Sequence, residues 1–175
     1  MKKQKFTKTF NLKHLDKLIK EDNSCVHLHK MKHHIALHPY HLGDLTNSVK
    51  DILNKRIGKF CSRLGGILCG YKNIKFLSEE GHICDDSSFI HIDIQADFFI
   101  FKPSIGKVIE GVVSKKSKDH VGCLVHNIFN VSLPRPKHVE NWIGQSLIPH
   151  SEVKFKITYT NFKGKLPYIT GEIIE

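Results

Sequence analysis

The segment FIHIDIQADFFIF, Phe89 to Phe101, constrains the chain more than any other. Ile90, Ile92, Ile94, Ala96, Phe98 and Ile100 recur at every second position with mostly polar residues between them, which is the period of a half-buried β-strand and not of a helix. Lys102-Pro103-Ser104 stops the run, because proline removes a backbone donor. A domain boundary near residue 103 follows. Beyond it GKVIEGVVSKKS, HVGCLVHNIF, SEVKFKITYTNF and KLPYITGEII succeed one another at turn-sized intervals, with a Lys163-Gly164 turn between the last two. Five or so short strands in about seventy residues describe a small barrel of the OB type, a fold whose open face commonly holds single-stranded nucleic acid.

The front half reads differently. CVHLHKMKHHIALHPYH, Cys25 to His41, holds six histidines and a cysteine. A zinc site announces itself by close ligand pairs separated by a spacer, and this stretch has none. Read as two strands, it sets Val26 and Leu28 against Cys25, His27 and His29, and Ile35 and Leu37 against His34, Ala36 and His38. Histidines on the wet faces of half-buried strands account for the pattern, so no metal is expected. A helix from about Leu42 to Ile57 follows, with Leu42, Leu45, Val49, Ile52 and Leu53 at helical spacing, Asp44 or Asn47 in its early turns and Gly58 at its end. GKFCSRLGGILCGY is a Gly-punctuated loop leading into a strand at Ile67, Leu68 and Tyr71. Leu12, Leu15, Leu18 and Ile19 mark an amphipathic stretch within a basic N-terminal extension, read as mobile or ordered by a partner.

The five cysteines are odd in number and scattered without a CxxC, which speaks against a disulfide framework and for a reducing compartment. No signal peptide or long apolar run is present in these residues, so a soluble intracellular protein is the expectation. Of the net charge of +10, residues 1 to 60 supply most, with thirteen Lys or Arg against five Asp or Glu. Such a field attracts polyanions. Catalysis finds no support: Gly58-Lys59, Gly106-Lys107 and Gly164-Lys165 lack the rest of a P-loop, and no GxSxG or HExxH occurs. Asp85 and Asp86 beside Ser87 and Ser88 read as a solvated turn. For nucleic acid, Lys115, Lys116 and Lys118 in the first barrel loop offer phosphate contacts, with His120, His126 and Phe129 on the following strands. Phe129 lies in an apolar stretch and reads equally as core.

IALHPYHLG before a helix, then GGILCGY, then FIHIDIQADFFIFKPSIGKVIEGVV, resembles the stalk subunit found in different versions in archaeal and eukaryotic RNA polymerases. HVGCLVHNIFNVSLPRP, above all His126-Asn127 and Phe129-Asn130 leading to Pro134, looks like the RNA polymerase I version. The fold class implied is α+β: a basic extension (1–24), a tip-associated N-terminal α/β domain that docks on the polymerase (25–102), and a C-terminal S1-type OB β-barrel (103–175). In the family the Gly-rich loop after the helix is the docking tip, which carries over to Gly58, Lys59, Phe60, Arg63, Leu64 and Gly65. The resemblance also implies a non-catalytic subunit, without cofactor and with no membrane contact, acting in rRNA synthesis in the nucleus and nucleolus. Its partners would be the RNA polymerase I core subunits, a small stalk partner subunit in some lineages, a polymerase I initiation factor, and nascent RNA held weakly and without sequence preference. Relatives often carry a charged C-terminal extension, whose functions lie outside residues ending at Glu175. The rival reading is a free-standing S1-type RNA-binding protein, and a further one an enzyme built on the same barrel.

Overall fold

A computed structural model of the chain describes residues 10–84, 87–137, 139, 141–162 and 167–174. The Lys163-Gly164 turn and the Asp85-Asp86 turn lie outside them. The chain forms two compact units: Val26–Phe101 with residues 10–17, and Leu18–Cys25 with the residues from Lys102 onward.

The first unit is a five-stranded sheet. Its strands are β1 (Val26–Leu37), β2 (Phe60–Cys61), β3 (Gly66–Phe76), β4 (His82–Ile83) and β5 (Ile90–Phe101), in the order β1-β5-β3-β2 with β4 also on β5. β5 is the expected alternating strand, and it lies at the centre. The histidine-rich stretch corrects the sequence reading, because it is one strand and not two. β1 pairs with β5 without a break from Val26↔Phe101 to Leu37↔Ile90. Lys30, Met31 and Lys32 keep the alternation going, with both lysines exposed and Met31 half-buried. Val26 and Ile35 are then an odd number of residues apart, so the two apolar pairs fall on opposite faces of a single strand.

Both faces find cover. α2 (Leu45–Asn54) packs Val49 and Leu53 onto Ile35, Leu37, Ile92, Ile94, Phe98 and Ile100. On the other face α1 (Leu12–Leu18) brings the fully buried Leu15 against Gly70 and beside Phe99, while Asp16 Oδ1 accepts from Lys72 Nζ at 2.6 Å. The amphipathic stretch of the extension, read as mobile or ordered by a partner, is thus a helix packed on the sheet of its own chain. Double cover explains why alternation lapses at Phe98–Phe101, all four of which are buried.

α2 begins three residues later than its apolar periodicity suggests. Pro39–Asp44 form a 3₁₀ turn, and Asp44 becomes the N-cap: its Oδ1 accepts from Asn47 N at 3.1 Å and its Oδ2 from Asn47 Nδ2 at 2.7 Å. Those bonds, the backbone one foremost, hold the Asp44 carboxyl below the usual carboxylate range. Leu42 is left outside the helix, 51% exposed.

The second unit is a closed barrel of β6 (Val108–Lys116), β7 (His120–Val125), β8 (Phe129–Pro134), β9 (Glu152–Asn161) and β10 (Tyr168–Ile173), in the cyclic order β10-β8-β7-β6-β9. Only β8 and β10 run parallel. This is the five-stranded OB-type barrel expected. HVGCLVHNIF, however, is not one strand, since it spans the β7–β8 hairpin. His126 (φ 49°) and Asn127 (φ 61°) are consecutive left-handed residues at its turn. The barrel is filled by Val113, Val121, Leu133, Phe155 and Ile157, each no more than 1% exposed. All five cysteines are free, and burial pushes the Cys69 and Cys123 thiols up to about 12.

Candidate functional site

The six residues expected at the docking tip come together in one hairpin. Arg56 O accepts from Lys59 N and Leu68 O from Gly58 N (2.7 Å), which turns the chain out of the α2 region into β2. Gly58 (φ 81°) and Gly65 (φ 65°) occupy left-handed backbone, Gly65 closing the loop by donating to Cys61 O at 2.8 Å. Phe60 pairs with Ile67 across the hairpin yet keeps 39% of its surface exposed. Lys59 and Arg63 are exposed beside it, and Leu64 is half-buried.

The hairpin walls a cleft of about 460 Å³ whose floor is Met31, Leu68, Phe98 and Ile100 of the sheet, with Leu53 of α2. Two of its polar residues, His33 and Arg56, escaped the sequence reading. Arg56 Nη1 donates to His33 Nε2, so that nitrogen carries no proton. Burial, then the Arg56 and Arg63 charges and the neighbouring His34, hold the His33 pKa below its ordinary value. The alternation of β1 was the available signal, because it turns His33 to the same face as Ile35.

His34, on the opposite face of β1, bonds across the sheet. His34 Nδ1 lies 2.8 Å from Asp93 Oδ1, and His34 Nε2 lies 2.9 Å from His91 Nδ1 with the two rings stacked. Among the described residues no three His, Cys, Asp or Glu side chains are arranged to hold a metal ion, and no helix is long and apolar enough to cross a membrane.

On the barrel the six nucleic-acid candidates separate. Lys115, Lys116, Lys118 and His120 gather around the β6–β7 turn, all exposed. Lys116 is engaged there, donating to the carbonyls of Gln145 and Leu147. His126 and Phe129 sit at the far end of β7, roughly 16 Å away at the strand rise per residue. His126 Nε2 donates to Ser24 O at 2.7 Å and so ties Leu18–Cys25 to the barrel. Phe129 is 5% exposed, so it is core and has no ring face for a base. Arg135 was missed: its amide donates to Asp119 O at 2.8 Å, setting it beside Lys118 although seventeen residues separate them in sequence.

Residues 9–102 match the family described as the F10E9.4 N-terminal domain, and residues 103–156 match the RPA43 OB domain in RNA Pol I. The chain is 36% identical over 143 residues to DNA-directed RNA polymerase I subunit RPA43 of Danio rerio, an alignment covering 81% of this chain and 37% of that protein. It is 35% identical over 142 residues to the Homo sapiens subunit of the same name, covering 80% and 42%. Against the Schizosaccharomyces pombe rpa43 subunit it is 32% identical over 110 residues, covering 63% and 64%. The chain thus spans about two-fifths of the length of the vertebrate relatives it matches. With a sheet unit that carries the Gly58–Gly65 hairpin, a closed five-stranded barrel, and these two family matches in the same order, the chain belongs to the RPA43 family of RNA polymerase I stalk subunits.

Proposed function

We propose that this chain acts as a non-catalytic subunit of RNA polymerase I in the nucleolus, docking on the core enzyme through the Gly58–Gly65 hairpin and supporting initiation of rRNA transcription. The unit ending at Phe101 would be the docking domain and the barrel the outward module, with a small stalk partner and an initiation factor as further contacts. The observation that carries docking is the convergence of Gly58, Lys59, Phe60, Arg63, Leu64 and Gly65 on one turn with Phe60 displayed at its edge. An apolar anchor ringed by cations is the makeup of a central contact in a protein interface.

Phe60→Asp tests it. An aspartate in an apolar receiving pocket is unpaired and desolvated, so the substitution should cost ~2 kcal/mol or more of binding, about thirty-fold in affinity. Tagged Phe60→Asp protein should pull down far less of the large polymerase subunits than the wild type. Equal recovery would reject the hairpin as the anchor.

Nascent RNA would lie along the β6–β7 end of the barrel, on Lys115, Lys118 and His120, with Arg135, whose guanidinium also donates to Val139 O, at its edge. Contacts of this kind are to phosphate, so binding is weak, tolerant of sequence and salt-sensitive. In filter binding over a salt series, Lys115→Ala with Lys118→Ala should lower the slope by roughly 2, one for each lost phosphate contact. An unchanged slope would remove RNA from this surface.

A further inference from the structure

The cleft beside the docking hairpin has a composition that a plain tip does not require. Arg56, Lys59 and Arg63 stand on its rim, and no Asp or Glu is among the described residues lining it. His33 adds no charge, since its Nε2 accepts from Arg56 and serves to aim that guanidinium. Three cations therefore surround a floor of aliphatic, thioether and phenyl groups. A volume of about 460 Å³ suits one or two large side chains and is too small for a helix laid lengthwise.

We propose that this cleft binds an acidic-hydrophobic peptide segment of a partner chain, with an apolar side chain seated on Met31 and Leu64, the half-buried apolar residues of the lining, and its flanking carboxylates on Arg56 and Arg63. Arginine forks match carboxylate geometry, and the uncompensated positive rim selects against basic and neutral segments. RNA would use the same cations. A base, however, needs an aromatic face to stack on: of the two phenyl rings lining the cleft Phe98 is only 4% exposed and Phe60, 39% exposed, belongs to the hairpin wall, while the half-buried seat of Met31 and Leu64 has no ring. The floor thus favours a compact apolar side chain. The inference deepens the docking reading, because Lys59 and Arg63 belong to the hairpin assigned there.

The test uses the whole chain and three fluorescein-labelled probes: the peptide Asp-Glu-Phe-Leu-Glu-Asp, its counterpart Lys-Arg-Phe-Leu-Arg-Lys, and a single-stranded oligouridine. Fluorescence anisotropy should show saturable binding of the acidic peptide and none of the basic one. Arg56→Gln with Arg63→Gln, both exposed positions, should weaken the acidic peptide at least about tenfold. Met31→Lys separates an apolar seat from simple charge attraction. It adds a cation but takes away floor, and a lysine at a half-buried position can extend its amine to water. It should weaken the peptide, whereas binding by charge alone would strengthen it. Equal binding of the basic peptide, displacement of the acidic peptide by oligouridine, an indifferent double variant, or tighter binding by Met31→Lys would each overturn the proposal. Docking is read by co-purification of polymerase with Phe60→Asp, so failure of either reading leaves the other standing.

Discussion

Leu53→Ala is expected to destabilise the sheet unit by about 2–5 kcal/mol. Leu53 is fully buried and joins α2 to the β1–β5 face. The loss combines the transfer free energy of the missing methyl-bearing atoms with the cavity they leave. Relaxation into that cavity is restricted, because α2 is anchored at its start by the Asp44 cap and at its far end by the turn bonded through Gly58 to Leu68. The same side chain forms part of the cleft floor. Urea unfolding followed by amide exchange on β5 should show the loss, and the acidic peptide should bind more weakly even below the transition. A cost under about 1 kcal/mol would mean that α2 is not held to the sheet as described.

Phe155→Ala should be at the upper end for a single residue, about 3–5 kcal/mol. Phe155 is fully buried on β9, between β6 and β10. A Cβ built at Gly171 would lie 2.5 Å from Phe155 Cδ2, and one at Gly111 would lie 3.3 Å from its Cε1. The ring therefore lies flush against the backbone of both neighbouring strands. Backbone in a closed barrel moves little, so the void left by alanine stays open and the ladder loses its filler. Exchange protection should fall in β6, β9 and β10. Stability within about 1 kcal/mol of the wild type would show that the barrel collapses around the gap.

Several features were legible because short-range chemistry decides them. The alternation from Ile90 to Phe101 allows little besides a strand, and Pro103 ends it on covalent grounds. The six docking candidates stay together because they are nearly contiguous: glycines at 58 and 65 bound a loop whose members cannot separate. The nucleic-acid set was not contiguous, and it came apart. Lys115, Lys118 and His120 share a turn, but His126 went to the opposite end of β7 and was taken up by Ser24 O, while Phe129 turned inward. Strand parity and the hairpin at His126-Asn127 settle that division, and ten apolar-rich residues read in a row do not reveal where a hairpin bends.

From composition and local pattern alone, this chain was bound to contain a buried central strand, a proline-marked break, and a run of short strands suited to a small barrel. Which face of β1 met which helix depended on partners tens of residues away. Packing decided that Ile35 would be covered by α2 while Val26 turned to the other face, that β8 and β10 would meet in parallel to close the barrel, and that His33 and Arg56, twenty-three residues apart, would share a cleft with the Gly58–Gly65 hairpin. Periodicity is a property of one strand by itself, whereas burial on two faces and the convergence of charges exist only once separate segments are brought together.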